Sequence, residues 1–305
     1  MMEKNFASPH NLALSQLLVS SRDGTNTATA TALDILHATE AEPVQESEFI
    51  LDGRQALLQA AKGSNELVYF GPEYLEYCGV SLNDGGRGKD EGLNQRFVAI
   101  ATEEKPEEPI QHPNVQRIYG FSDSLIILED LPKGTVAELL ITKHGRLQLN
   151  APRRIQIMLN VAKVMDLLKD DLQKLHVSSY HVGLTLDLTP KLFQGGSSDG
   201  DHVHEFGILM IELLTGCLNN DQSEDRKLGD FVERYRKGSG HIIEDDLDPY
   251  VRESWTFNIL SQLIELALGC VNADEAKRPS TEKLVETLGL ISTRMQVVTS
   301  FSDFY

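Results

Sequence analysis

The chain has 305 residues, 41% of them hydrophobic, enough to bury a full core in one large domain or two closely joined lobes. Its formal net charge of -18 excludes a nucleic-acid backbone or an anionic membrane surface as an expected partner, because both would repel it. Three scattered cysteines, Cys78, Cys217 and Cys270, lack metal-ligand spacing and fit a reducing compartment.

Residues 1–45 are rich in Ser, Thr, Ala and Asn and predict a flexible arm. No secretory signal opens the sequence, and Met2 excludes N-myristoylation. From 46 to 131 the apolar runs are short and broken by Gly, Asn and Pro. Strands are predicted at 67–70, 77–80 and 125–128, and the glycine-rich stretch 83–90 predicts a loop. This half is expected to be a small, mainly antiparallel sheet.

Beyond Pro132 the period becomes helical. A short helix is predicted at 135–143, and Pro152 marks the start of a longer one, where a missing amide costs nothing. Ile155, Met158, Leu159, Ala162, Met165 and Leu168 recur at three- and four-residue steps. Residues 203–214 are apolar nearly all round, as in a helix at the centre of a domain. The most apolar run, 206–218, which overlaps this helix, is too short to span a bilayer and carries Glu212. Segments 228–236, 259–271 and 281–291 complete the helical half, 132–292, and 293–305 is set apart as a tail. A small sheet followed by helices is a two-lobe α+β design.

Four stretches stand out in order along the chain. They are His112-Pro113-Asn114-Val115 with Arg117-Ile118-Tyr119-Gly120-Phe121, then Leu128-Glu129-Asp130-Leu131-Pro132-Lys133-Gly134. The run from Phe206-Gly207 through Glu212-Leu213-Leu214-Thr215-Gly216 is the third, and Cys270-Val271 with Lys277-Arg278-Pro279-Ser280 is the fourth. Together they resemble the plant receptor-like kinases, the Pelle-like family that includes the receptor-like cytoplasmic kinases. The resemblance covers about residues 55–292 and implies a bilobal protein-kinase-like fold, with a β-rich N-lobe joined through Glu129-Asp130-Leu131 to an α-helical C-lobe.

The same resemblance implies that the chemistry is lost. Phosphoryl transfer needs a Gly-rich loop, a Lys paired with a Glu, two metal-binding groups and an Asp base. The best register for G-x-G-x-x-G-x-V is 61–68, where only Gly63 and Val68 match and Glu66 replaces the last glycine. The phosphate-binding Lys of V-A-I-K then falls on Ser81. Its Glu partner falls near Glu103, in a run interrupted by Pro106 and Pro109. In the catalytic loop His176 replaces the Asp base and His181 the metal-binding Asn. Gln194 replaces the metal-binding Asp, and a neutral amide is a poor Mg²⁺ ligand beside a carboxylate. Only 197–201 separates Gly196 from the central helix, so the activation segment is almost absent. Arg278 is left without the glutamate that such an arginine pairs with in the family.

The expected protein is therefore a pseudokinase with no catalytic residues and no metal. Its vestigial cleft is marked by Gly63, Val68, Glu129 and Leu131, and ATP/Mg²⁺ binding is expected to be weak or absent. It would act as a signalling scaffold or allosteric regulator on a protein kinase, receptor or immune component, in the cytoplasm or recruited to the plasma membrane by a partner receptor. Two alternatives stay open: a weak kinase whose hinge still accepts adenine through its backbone, and a kinase decoy in immune signalling.

Overall fold

A computed structural model describes residues 48–62, 67–80, 86–91, 93–102, 109–194, 200–219 and 246–302. From Ser47 onward the chain forms one compact unit. The arm expected at 1–45 and the helix expected at 228–236 lie outside the described residues.

The first element among the described residues is a helix that the sequence did not announce, α1 (Glu48–Ala61), with Glu48 in the first turn where the helix dipole favours an acid. Gly53, Ala56, Leu57 and Ala60 lie on one buried face. That face packs with Phe70, Tyr74, Phe97, Ala99, Tyr119 and Ile127 in a small core. Gly53 is needed for close approach, since a Cβ there would lie 2.0 Å from the Tyr74 ring. Arg54 reaches from α1 to Asp90, its Nε donating to Oδ2 at 3.0 Å, and the Tyr74 hydroxyl donates to the same oxygen at 2.8 Å. Burial alone would raise the Asp90 pKa, but bonds from Tyr74, the Leu93 N–H and Arg54 outweigh it and hold the carboxyl below its ordinary value.

Strands β1 (Val68–Tyr69), β2 (Arg87–Asp90), β3 (Gln95–Ala101), β4 (Ile118–Ser122) and β5 (Leu125–Glu129) form a sheet in the order β1-β4-β5-β3-β2. The β2–β3, β3–β5 and β4–β5 pairs are antiparallel, whereas β1 runs parallel to β4. Two local expectations are corrected. The strand expected at 77–80 is instead the end of α2 (Pro72–Tyr77) and its turn, because Pro72 starts a helix and Gly79 stops it at φ +70°. The loop expected at 83–90 yields β2 from Arg87 onward. Gly88 sits there because a Cβ would press within 2.8 Å of the Phe97 ring, so this glycine serves sheet packing.

The helical lobe follows the predicted period. Among the described residues it comprises α3 (Val136–Ile141), α4 (Lys143–Gln148), α5 (Ala151–Leu167), α6 (His202–Thr215), α7 (Phe257–Cys270) and α8 (Thr281–Ser302). Thr135, Thr142, Asn150, Asp201 and Thr256 each cap the following helix through a side-chain oxygen. The central helix α6 buries Phe206 and 209–215 and ends at Gly216 in the left-handed conformation. The tail expected at 293–305 is not separate at its start, since α8 continues to Ser302 and buries Met295 against the core. No helix among the described residues is long and apolar enough to cross a membrane.

Among the described residues, one ionic contact lies fully inside this lobe. Arg154 of α5 and Asp248 pair at 2.5 Å with both side chains inaccessible. The guanidinium also donates to the Leu149 and Leu213 carbonyls, each at 2.6 Å. A small sheet, β6 (Leu175–His176), β8 (Pro190–Gln194) and β7 (Val182–Leu184), completes the lobe and faces the linker from β5.

Candidate functional site

The junction between the lobes is built by β8 and the segment leading into β4. The Leu192 N–H donates to the Asn114 carbonyl and the Gln116 N–H to the Leu192 carbonyl, both at 2.8 Å, while Asn114 Nδ2 donates to Pro190 O at 2.9 Å. The motif His112-Pro113-Asn114-Val115 therefore joins the sheet lobe to the helical lobe by short-range backbone pairing.

Gln194, at the end of β8, is held in this junction. The Ile110 N–H donates to its Oε1 at 2.7 Å, and its Nε2 donates to the Gln116 carbonyl at 2.7 Å and the Ile110 carbonyl at 3.4 Å. A carboxylate could accept the first bond but could not make the other two. An amide at this position is thus a structural requirement of the backbone facing it.

His176 lies on β6 opposite Phe193 of β8. His181 follows a turn closed by its own N–H to the Ser178 carbonyl, and the Phe193 N–H donates to the His181 carbonyl at 2.9 Å. The two imidazoles lie with ring centroids 4.8 Å apart, and His181 meets the Phe193 ring edge-on at 6.2 Å. Ser178 Oγ and His181 Nδ1 are hydrogen-bonded at 2.8 Å. Burial and then His176 push the His181 pKa down, against a pull upward from Glu205. Among the described residues no group of three or more His, Cys, Asp or Glu is placed to hold a metal ion.

His112 behaves like His181: burial lowers its pKa, and its Nδ1 accepts from the Asn114 N–H at 3.1 Å, which requires the neutral ring. Both imidazoles have folded-state values below their ordinary pKa of about 6.5. The unfolded chain therefore binds more protons than the native one as pH falls from about 6.5, so stability rises with pH across that window. The expected result is a melting temperature lower at about pH 5.5 than at about 7.5. An H112F/H181N variant should show a flatter profile.

The hinge residues are used internally. The Glu129 N–H donates to Arg117 O and its carbonyl accepts from Gln116 Nε2, both at 2.9 Å. Its carboxylate is paired with Lys191 of β8 at 2.7 Å. Leu131 is buried with a methyl over Gly183 of β7, where a Cβ would come within 2.3 Å of Leu131 Cδ1 and 2.7 Å of Phe193 Cε1.

The structure thus gathers His176, His181, Gln194, Glu129 and Leu131 around one junction. Val68 is elsewhere, on the edge strand β1, with β4 and β5 between it and the β2–β3 hairpin. Gly63 and Ser81 lie outside the described residues. A signal missed in the sequence is Val98-Ala99-Ile100, the first three residues of V-A-I-K, which stand on β3 and are followed by Ala101. Arg278 has acquired a partner: its Nη1 pairs with Asp201, and its Nε donates to the Asn272 carbonyl at 2.8 Å. Asp201 also caps α6 by accepting from the His204 N–H at 2.9 Å. Beside this pair is a groove of about 770 Å³ lined by Lys169, Gln173, His202 and Glu275.

No protein-family model matches the chain. Receptor-like serine/threonine-protein kinase At1g78530 of Arabidopsis thaliana is 26% identical over 262 residues, covering 70% of each chain. Cysteine-rich receptor-like protein kinase 25 of the same plant is 22% identical, covering 93% of this chain and 48% of its own length. The chain spans about a quarter to a half of the length of the other curated relatives that it matches. Among solved structures, the apo GRMZM2G135359 pseudokinase superposes with a TM-score of 0.61 at 18% identity, covering 75% of this chain and 95% of that one. The pseudokinase DRIK1 (drought responsive inactive kinase 1), bound to ENMD-2076, gives 0.57 at 19% identity, covering 68% and 86%. Both likenesses establish the bilobal kinase-like fold. In sequence the chain is similar to plant receptor-like kinases, and in fold it is similar to two pseudokinases.

Proposed function

We propose that the chain is a catalytically inactive protein-kinase-like domain that works as a signalling scaffold or allosteric regulator through protein–protein binding. The observation that carries this reading is the internal use of Gln194. At the position where phosphoryl transfer needs a metal-binding carboxylate, the side chain gives both its donor and its acceptor to the backbone of 110–116. By the motif spacing His176 and His181 replace the base and the second metal ligand, and their rings pack against each other at a tilt. The phosphate Lys is replaced in either register, by Ser81 from the loop spacing or by Ala101 from the V-A-I tripeptide on β3. The likeness in fold to two pseudokinases supports the same reading.

ATP and Mg²⁺ binding is accordingly weak or absent. Two missing charge-assisted contacts weaken a triphosphate by about a hundredfold or more. The partner is a signalling protein kinase, receptor or immune component, met in the cytoplasm or at the membrane through a receptor. Two segments are candidates for docking: the acidic run with Glu103, Glu104, Glu107 and Glu108, and the stretch 195–201 with 228–236, which lie largely outside the described residues.

The purified protein with Mg²⁺ or Mn²⁺ is expected to transfer no phosphate to itself or to generic substrates, and to show no saturable ATP binding below about millimolar concentration. Transfer that disappears on His176→Ala, or low-micromolar ATP affinity by calorimetry, would defeat the proposal. Reversal of the four glutamates to lysine in a pull-down tests the first docking face, which is rejected if partner recovery is unchanged.

A further inference from the structure

We infer that the chain fills its own nucleotide cleft, so that the contact between the lobes needs no ligand; this rests on the pseudokinase reading above. The floor of the junction is Gly183, and its lack of a side chain is matched by two side chains that have moved onto it. Leu131 descends from the interlobe linker and Phe193 leans in from β8, each too close to admit even a Cβ without moving. The His181 ring then meets Phe193 edge-on, and His176 lies tilted against His181, so the apolar plug continues into a row of ring contacts.

Polar groups close the same space from the other side. The Glu129 carbonyl, an acceptor that an adenine edge would need, holds Gln116 Nε2 instead. The Gln116 backbone carbonyl in turn holds Gln194 Nε2, and Lys191 ties the Glu129 carboxylate to β8. An entering ring would have to displace an apolar contact and break internal hydrogen bonds at once. The Leu131 contact with Gly183, the Gln194 bond to Gln116 and the Lys191 pair with Glu129 span from the sheet lobe or linker to β7 or β8, which makes the plug a clamp between lobes as well. In a kinase with an open cleft, bound nucleotide supplies such contacts; in this chain they are intramolecular and permanent.

Hydrogen exchange with adenosine as the probe tests this. In the wild-type protein the N–H groups of Gln116, Leu184 and Leu192, which bridge the junction, should belong to the slowest-exchanging class without ligand, and millimolar adenosine should leave their rates unchanged. Leu131→Ala/Phe193→Ala removes the plug. In that variant adenosine at about ten times its dissociation constant should slow the same amides by about tenfold. If the double variant does not fold, Leu131→Ala alone is read in the same way. Wild-type amides that exchange as fast as those of exposed segments would overturn the inference, as would slowing by adenosine in the wild type. A plug-free variant as indifferent to adenosine as the parent would also overturn it. Phosphate transfer by the wild type would defeat the proposed function through a separate readout, since these rates report only the cleft.

Discussion

Asp248→Ala is expected to destabilise the protein by about 3–5 kcal/mol, the cost of leaving a buried guanidinium without its counter-charge. Arg154 is wholly inaccessible, and burial already depresses its pKa despite the neighbouring carboxylate. Its two carbonyl contacts, to Leu149 and Leu213, satisfy hydrogen bonds but supply no full negative charge. Asp248 also anchors its own loop, since its Oδ1 accepts from the Tyr250 N–H at 3.0 Å and its N–H donates to Leu214 O at 3.0 Å. Removing the carboxylate therefore loosens the link between the end of α6 and the chain that follows. Urea unfolding should show a lower midpoint with an unchanged slope. A double replacement, Arg154→Met with Asp248→Leu, should recover much of the loss, because the pair's absence costs less than half of it left alone. A single-variant loss under about 1 kcal/mol would contradict the account.

Gln194→Glu keeps the size of the side chain and removes its donor. Two hydrogen bonds, to Gln116 O and Ile110 O, become contacts between a carboxylate and carbonyl oxygens. Unmade buried bonds cost about 1–3 kcal/mol each, so a loss of about 2–4 kcal/mol near neutral pH is expected. The loss has a pH signature. The new carboxyl can restore a donor only by keeping its proton, so its folded-state pKa lies above the ordinary value of about 4.3. The penalty is then full above that raised value and fades as pH falls toward 4.3. Comparing the denaturation midpoints of variant and parent at several pH values would show the gap narrowing in acid. Addition of Mg²⁺ should not raise the variant's melting temperature. A rise of several degrees would mean that the position still addresses a metal.

The helical lobe was legible because its signals are long and redundant. Ile155, Met158, Leu159, Ala162 and Met165 are all buried in α5, as their spacing predicted, and the apolar run 206–214 does occupy the core. The sheet lobe was less legible because its elements are short and its glycines serve packing. Gly88 reads as a loop residue yet lies in β2, and Gly53 discourages a helix yet admits Tyr74 to α1. Exposed Phe49, Leu51 and Leu58 also blur the apolar face of α1. At the junction, the spacing from His176 through His181 to Gln194 could be read along the chain. The roles of Gln116 and Gly183 could not, because both depend on contacts across strands far apart in sequence. The V-A-I tripeptide was hidden by the loss of the lysine that makes it recognisable.

The tether from α1 to Asp90 has a practical consequence for where the domain can be trimmed. A chain cut to begin at Leu67 would retain every strand and helix from β1 onward and would look complete by comparison with the sheet alone. It would nevertheless bare the apolar side of Phe97, Ala99 and Ile127, and it would leave Asp90 without its cation. Such a fragment offers a sticky, uncovered sheet to its neighbours and should collect in aggregates or be lost to proteases. The smallest self-sufficient unit accordingly includes Glu48, well upstream of the first strand.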